Sequence, residues 1–278
     1  MSRLVLLAGG CALTGFAQAP APLPSPPAVD MATLPRPVAM LDTVWIEEMT
    51  QLEVRDSLRA GKTTVLIPAG GMEDNGPYVA VSQHNSIVRA MAERIARQLG
   101  NALCAPAIAL APANPAAATN PGSVVLSAAT YKSVLTDMAT SLRAQGFRHI
   151  MILADHGPDQ APAIEVVNAL NAAWKGQGAT VAYVSDYYDY DAVAAYSRDV
   201  LGNPETPEGY HDDYYVAAIS AVIDAESIRL PERKAAGRTA INGFDLAMAK
   251  ALEDGQKIID LRVAAAVKQI RSLIGTGR

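Results

Sequence analysis

The sequence has few cysteines, and this scarcity excludes two classes of small cross-linked protein. Only Cys11 and Cys104 occur among its 278 residues. A disulfide framework and a thiolate zinc cluster each need several sulfurs at close spacing. Any metal ion bound by this protein must therefore be held by imidazole and carboxylate groups. Cys104 lies in an apolar run and is expected to be a small buried side chain rather than a nucleophile.

Positive charge is also scarce. The 23 Lys and Arg residues are outnumbered by 28 Asp and Glu residues, which gives a net charge of -5, and no basic run occurs. This balance disfavours a nucleic acid or an anionic membrane surface as a partner. The expected partner is a small molecule or another protein.

Three common motifs are missing from the sequence. It has no G-x-S-x-G elbow, no G-x-x-x-x-G-K-[ST] loop and no G-x-G-x-x-G turn after an apolar run. The chain therefore lacks the exposed serine of a serine hydrolase and the turns that cradle phosphate or a dinucleotide. Half of its residues are hydrophobic, so the chain can bury a large α/β core.

The first residues are predicted to be an export signal over 1–19. Arg3 gives a positive start, the apolar run that follows is too short to span a bilayer, and small-x-small cleavage sites end at Ala17 and Ala19. These features predict an exported, periplasmic protein without a membrane span. The alternative is a lipoprotein anchored at Cys11, because the residues before this cysteine loosely resemble a lipobox.

Residues 20–39 are rich in proline and have no periodic apolar pattern, which predicts an extended tether. From 40 to 278, short apolar runs alternate with amphipathic stretches. This alternation predicts one α/β domain with a layered, mainly parallel sheet and helices on both faces. The predicted strands are 63–68, 102–110, 149–154 and 180–184, and the predicted helices are 85–99, 128–144, 162–174 and 245–273.

Acidic and histidine side chains follow the predicted strands, where open parallel sheets bind their ligands. Glu73 follows the first strand, and Asp155, His156 and Asp159 follow the third. Gly70-Gly71, just before Glu73, is expected to form a tight turn that lets the strand end approach this site.

Three of the four histidines lie beside acids or amides in these loops or at helix starts: His84, His156 and His211. The fourth, His149, opens a strand at the opposite end and is expected to be structural. Residue types alone leave two interpretations open, a metal site with oxygen and nitrogen ligands or ordinary hydrogen-bonded histidines.

Residues 67–77 read I-P-A-G-G-M-E-D-N-G-P. This segment resembles the I-P-x-G-x-x-E-x-H-G-P-H segment of the creatininase family, the metal-dependent creatinine amidohydrolases. Residues 120–124 are similar to its F-P-G-T segment, 154–159 to N-G-H-G-G-N, and 237–270 to its closing helix. The resemblance covers about residues 43–273.

This resemblance implies a layered α/β fold, a homo-oligomer, and one or two divalent ions, zinc or manganese, that hydrolyse a cyclic or linear amide. Glu73 and His156 match ligands of the family. Asn75 stands where creatininase has a metal-binding histidine, His84 where it has the bridging aspartate, and Pro158 where it has another carboxylate. Tyr78 replaces the second histidine of the G-P-H segment, and the family's late acid falls on Asp212 or Asp213.

The changed positions predict about one divalent ion per chain, with zinc expected and manganese as the alternative. An imidazole offers one lone pair to one metal, so His84 cannot bridge two ions as a carboxylate does. Asn75 and Pro158 deplete the second site further. The predicted ligands are Glu73, His84, His156 and Asp213.

The predicted function is hydrolysis of a small, cyclic or linear amide by a metal-activated water. Asp155, Asp159 and Asp212 are the candidate proton acceptors, and helix capping is the competing interpretation for Asp159 and Asp212. The alternative function is a non-catalytic, ligand-binding or structural relative that retains the fold.

The predicted substrate pocket contains Asn75, Tyr78, Tyr210 and His211. Tyrosines are clustered around 187–190 and 210–215, and such side chains suit either a pocket wall or a subunit interface. An interface is favoured for 187–190, and the pocket is favoured for Tyr210.

Overall fold

The computed structural model describes residues 29–246 and 249–275. The predicted export signal at 1–19, the lipidation site at Cys11 and the tether up to residue 28 lie outside the described residues and stay predictions. The described residues fall into two units, divided between Pro35 and Arg36. In the first unit, Asp30 closes a turn by accepting hydrogen bonds from Ala32 and Thr33.

The second unit alternates strands and helices. Its strands are β1 (Thr64–Ala69), β2 (Ala102–Cys104), β3 (Ala111–Pro112), β4 (Val125–Leu126), β5 (His149–Ala154), β6 (Thr180–Tyr183), β7 (Ala240–Ile241) and β8 (Phe244–Asp245). Its helices are α1 (Gln51–Arg59), α2 (Gln83–Leu99), α3 (Ala128–Gln145), α4 (Gln160–Ala173), α5 (Tyr190–Asp199), α6 (Tyr214–Ile223), α7 (Leu230–Ala235) and α8 (Ala249–Gly275).

Four parallel strands form the central sheet in the order β2-β1-β5-β6. Successive side chains of a strand point to opposite faces, so buried strands feed two cores. Val65 and Ile67 pack with α3 and α4 on one face, and Leu66 packs with α2, α6 and α8 on the other. The predicted α/β class, with a mainly parallel sheet and helices on both faces, is confirmed.

Two elements differ from the sequence prediction. β2 ends at Cys104 rather than extending to residue 110, because Pro106 lacks the N–H that a ladder needs. The predicted closing helix over 245–273 corresponds to α8, and its predicted first residue, Asp245, belongs to a hairpin instead. In this hairpin β7 pairs with β8 across Asn242 and Gly243. Both turn residues have positive φ, 47° and 90°, as a two-residue hairpin turn requires.

Within the part of the chain that the structure describes, no helix combines the length and the apolar character needed to cross a membrane.

Candidate active site

The carboxyl ends of β1 and β5 bring the predicted strand-end residues to one edge of the sheet. These parallel neighbours end in register, with Ala69 beside Ala154. Glu73 lies in the loop after β1, and Asp155 and His156 follow β5 directly. The cluster therefore occupies the crevice in which sheets of this type bind ligands.

A glycine pair lets α2 approach this edge. A Cβ added at Gly70 would lie 2.9 Å from the backbone N and Cα of Asn85, so a larger residue does not fit there. The side-chain oxygen of Asn85 accepts a hydrogen bond from the backbone N–H of Gly71 at 3.0 Å. The pair forms no tight turn, but the close approach of α2 that it allows places the neighbouring His84 against the Glu73 loop.

Two histidines bond to the two oxygens of Glu73. Nε2 of His84 lies 2.6 Å from Oε1, and Nε2 of His156 lies 3.0 Å from Oε2. Burial disfavours the charged carboxylate, but the two histidines outweigh burial and hold the pKa of Glu73 far below its ordinary range. Glu73 is therefore an anion clamped between two imidazole rings.

A second carboxylate holds each histidine ring from behind. Nδ1 of His84 lies 3.2 Å from Asp155 Oδ2, and Nδ1 of His156 lies 3.3 Å from Asp159 Oδ1. Burial disfavours charge on both rings, but the carboxylates on either side outweigh it and raise the pKa of His84 and of His156 to about 9. A raised pKa favours the doubly protonated ring at pH 7, in which both nitrogens donate.

The two outer carboxylates differ in their own partners. Asp155 Oδ1 accepts hydrogen bonds from the Tyr187 hydroxyl at 2.7 Å and from the Arg262 guanidinium. Burial opposes the charge of Asp155, but Arg262 and His84 hold its pKa below the ordinary value. For Asp159, burial outweighs the hydrogen bond from His156 and raises the pKa to about 6.

Two site residues were not predicted as such from the sequence. Arg262 was missed, and Tyr187 was placed in a subunit interface. Arg262 lies on the buried stripe of α8, beside Val263, and is only 7% exposed. A charged residue on an apolar helix stripe is the signal that could have identified it. Tyr187 is fully buried, so the interface favoured for this residue is wrong.

A cavity of about 300 Å³ opens beside Glu73, His84 and His156. The residues that line it are Glu73, Gln83, His84, His156, Gly157, Pro158, Tyr188, Tyr190, His211, Asp212, Asp213 and Val216. None of these described lining residues is Lys or Arg. The wall is therefore acidic and aromatic, and Tyr188 and Tyr190 belong to it.

Three further predicted site residues, His211, Asp212 and Asp213, also line this cavity. Nδ1 of His211 lies 3.9 Å from Glu73 Oε2 and 3.3 Å from the Asp74 carbonyl oxygen. Asp213 accepts hydrogen bonds from the hydroxyls of Tyr190 and Tyr215. Burial raises the pKa of Asp212. The structure brings all three to the cavity, while the ligand role of Asp213 and the catalytic role of Asp212 stay predictions.

The β7–β8 hairpin supports this wall. The side-chain amide of Asn242 donates to the Asp212 carbonyl at 3.1 Å and to Glu205 Oε2 at 2.9 Å, and its oxygen accepts from the backbone N–H of Glu208 at 3.0 Å. An Asn-Gly pair between apolar residues is the sequence signal for such a turn.

The other predicted pocket residues lie around the site without lining the cavity. Asn75 is buried, donates to the Glu73 carbonyl at 3.2 Å and accepts from Gln83 at 2.8 Å, so it braces the Glu73 loop. The Tyr78 ring lies under the Arg233 guanidinium at 4.4 Å. Tyr210 is half-exposed, and its Cβ would lie 2.9 Å from a Cβ added at Gly76.

Helix capping does not account for the aspartates. Asp159 and Asp213 are the N-cap residues of α4 and α6, but neither side chain accepts a hydrogen bond from the helix backbone. Asp212 lies one residue before a cap position. His149 opens β5, with Nδ1 at 3.3 Å from Thr180 Oγ1, and so lies at the end of the sheet opposite the site, as expected.

Glu73, His84 and His156 are suitable metal donors, yet both histidines bond to the Glu73 carboxylate. Across 29–246 and 249–275, no three or more His, Cys, Asp or Glu side chains are spaced as a metal cage. Their chemistry nevertheless fits one divalent ion, because both Nε2 atoms converge on the Glu73 carboxylate and each Nδ1 donates outward to a carboxylate. That outward hydrogen bond is the one that orients metal-binding histidines in proteins.

Comparisons with known proteins agree with this fold. The family model described as "Creatininase: Creatinine amidohydrolase" matches residues 47–268. Among solved structures, a tryptophan-to-alanine mutant creatininase matches with a TM-score of 0.65 and 17% identity, over 83% of this chain and 98% of that one.

Two further creatininase structures match over 98% of their own length. A glutamate-to-glutamine mutant of the Zn-Zn type has a TM-score of 0.64 and 17% identity over 84% of this chain. The structure "Creatininase Mn" has a TM-score of 0.62 and 19% identity over 83% of this chain. At such identities the likeness shows the fold. No curated protein sequence matches the chain significantly.

Proposed function

The chain belongs to the creatininase family, and from that premise we propose that it is a metal-dependent hydrolase of a small, cyclic or linear amide. The observation that carries this proposal is the pair of histidines whose Nε2 atoms meet at Glu73 while their Nδ1 atoms are held by buried carboxylates. This arrangement places two imidazole nitrogens beside one carboxylate, and it holds each Nδ1 as the outer hydrogen bond of a metal-binding histidine does.

Glu73, His84 and His156 would hold about one divalent ion, zinc or manganese, with water completing its coordination. When bound, the ion lowers the pKa of a water molecule and polarises a carbonyl oxygen. For this to occur each histidine gives up its Nε2 proton, while the Nδ1 proton remains on the hydrogen bond to Asp155 or Asp159. These two aspartates therefore set the tautomer and the direction of each ring.

The groups that exchange protons with the substrate are those on the cavity wall. Asp155 and Asp159 are at most 1% exposed and reach the cavity only through the histidines. His211 is exposed, lies 3.9 Å from Glu73 and faces the Asp74 carbonyl with Nδ1. If Nδ1 carries the proton of that contact, Nε2 is left to accept a proton from water or to return one to the leaving nitrogen.

The substrate class follows from the size and charge of the cavity. A volume of about 300 Å³ is at the lower end of the range for ligand pockets, so the substrate is small. The acidic wall, without Lys or Arg among its described residues, favours a neutral or positively charged amide over a carboxylate. Tyr188 and Tyr190 offer flat apolar faces to it.

Metal analysis followed by a substrate panel tests the proposal. After mild dialysis we expect about one zinc or manganese ion per chain, and hydrolysis of lactams or linear amides that a chelator abolishes and added metal restores. Glu73→Ala and His156→Ala should each lose the metal and stay folded, because both residues lie in loops. Glu165→Gln, on the exposed pair with Lys132, is the matched control and should keep both properties.

A non-catalytic relative is the second candidate, and one observation favours it. Both oxygens of Glu73 are already bonded to histidines, so the cluster is satisfied without a metal. In that case the protein contains no ion, metal addition yields no activity on any amide, and ligand binding to the cavity persists. These results would reject hydrolysis.

We also propose that the protein is exported and functions in the periplasm as a homo-oligomer. The export signal over 1–19 supports the first part, and intact mass of periplasmic protein should begin at Gln18 or Pro20. A diacylated Cys11 would favour the lipoprotein instead. Light scattering on the purified protein measures the number of subunits.

A further inference from the structure

We propose that Arg262 is a positioning residue, which fixes the Asp155 carboxylate and through it the ring of His84. The inference rests on the proposed function, since the orientation it secures is that of a metal-binding histidine. No substrate or metal contact is assigned to Arg262 itself.

Arg262 makes two directed hydrogen bonds inside the protein. Its Nη2 donates to Asp155 Oδ1, and its Nε donates to the carbonyl oxygen of Tyr187 at 3.1 Å. The guanidinium also lies over the Tyr187 ring, 4.5 Å from the centroid. Because the guanidinium is planar and rigid, these contacts fix Asp155 and Tyr187 relative to each other.

A charge at this position needs a specific reason. The neighbouring stripe of α8 is apolar and buried, with Ile258, Ile259 and Val263 on it. A buried guanidinium is costly unless it is paired, and an apolar residue here is often neutral or better for stability. The pairing with Asp155 is therefore what this arginine provides, and it leaves Asp155 Oδ2 directed at His84 Nδ1.

The same side chain reaches the cavity wall. The Arg262 guanidinium lies 5.8 Å from the centroid of the Tyr188 ring, and Tyr188 lines the cavity. Loss of Arg262 should therefore affect both the metal, through His84, and the substrate, through Tyr188.

Metal affinity in the full chain provides the test. For Arg262→Gln we expect Zn²⁺ to bind about 10-fold more weakly, in competition with a colorimetric chelator, and the visible spectrum of the Co²⁺-loaded protein to shift. Arg262→Lys keeps the charge without the planar fork and should fall between this variant and the wild type. Arg271→Gln, on the same helix and bonded to the Gln98 carbonyl, is the matched control and should change neither measurement.

A folded Arg262→Gln protein with wild-type Zn²⁺ affinity and Co²⁺ spectrum would overturn the proposal. If Arg262→Gln does not fold, Arg262→Lys decides by the same two measurements. If the wild type binds no divalent ion, the proposed function fails, and crystal structures of the metal-free Arg262 variants still test positioning. A changed rotamer of Asp155 or His84 supports it, and unchanged rotamers refute it.

Discussion

The site contains two arms that extend from Glu73 and differ in how they end. The arginine arm consists of His84, Asp155, Tyr187 and Arg262, and every oxygen of its carboxylate is bonded. The tyrosine arm consists of His156, Asp159, Tyr131 and Tyr183. In the tyrosine arm, Asp159 Oδ2 and the two tyrosine hydroxyls are buried without a hydrogen-bond partner.

The difference shows what a buried cation does for a carboxylate–histidine pair. Both aspartates are buried and both bond to a histidine, yet the pKa of Asp155 is below its ordinary value and that of Asp159 is raised to about 6. Burial raises the pKa of the Tyr131 phenol, and so does Asp159, although no hydrogen bond of good geometry joins them. The charge and the orientation of Asp155 in the arginine arm are therefore fixed, whereas those of Asp159 in the tyrosine arm are less constrained.

Neutralising each aspartate should produce the largest difference between the arms. Asp155→Asn leaves the Arg262 cation buried without its anion, and we expect a loss of about 3 to 5 kcal/mol in the free energy of unfolding. Asp159→Asn breaks one hydrogen bond and leaves no buried arginine without its anion. We therefore expect a loss of about 1 kcal/mol in the free energy of unfolding. Urea denaturation of the metal-free proteins at pH 7 measures both.

The double variant Asp155→Asn/Arg262→Met controls for this interpretation. It removes the buried cation that has lost its anion and should therefore recover part of the lost stability. Equal losses for the two single variants would show that the arms do not differ in charge.

The two arms should also differ in how much each contributes to metal affinity, and this difference should be smaller than the difference in stability. Outer partners of metal-binding histidines contribute about 10-fold to 100-fold in affinity. We expect Asp155→Asn near the upper end, since Asp155 is fixed by three partners, and Asp159→Asn near the lower end. Chelator competition with Zn²⁺ gives both values, and the reverse order would show that the tyrosine arm dominates orientation.

Removal of single hydroxyl groups sharpens the comparison further. Tyr187→Phe breaks a formed hydrogen bond to a charged oxygen and should cost about 1.5 to 3 kcal/mol in the free energy of unfolding. Tyr131→Phe removes a buried hydroxyl that has no partner, so it should be neutral or stabilising. Thermal and urea unfolding measure both, and a large loss for Tyr131→Phe would reveal a hydrogen bond through a buried water.

The sequence predicts the histidine and the aspartate of each arm but not the residues behind the aspartates. Strand periodicity predicts β1 and β5 within one residue, and strand-end logic brings Glu73, Asp155 and His156 together. Asp159 follows from the same loop. These predictions succeed because parallel strands end at a common edge, and that rule needs only local patterns.

Arg262 could not be placed in this way, because it lies 107 residues from Asp155 in sequence. Contacts between a closing helix and a strand-end loop depend on tertiary packing, which periodicity does not encode. The roles of Asp155 and Asp159 show the same limit. Both sequence positions are consistent with a proton acceptor in the cavity, and only the burial of these side chains indicates that they position the histidines.

The smallest expected effect is the release of protons by the two histidines on metal binding, and in this effect the two arms should behave alike. His84 and His156 each have a pKa raised from an ordinary value of 6.5 to about 9. A raised pKa means that each protonated ring stabilises the metal-free fold in full below pH 6.5, and that this contribution is lost as the pH rises through 9.

Metal binding needs both Nε2 atoms without protons, so at pH 7 it should release about two protons per ion, one from each arm. Above about pH 10 the release should fall towards zero, because the rings have already lost those protons. Titration calorimetry with Zn²⁺ in buffers of different ionisation enthalpy measures this number at each pH. Release near zero at pH 7 would show that the histidines are neutral before the metal binds, and release of one proton would assign the raised pKa to one arm alone.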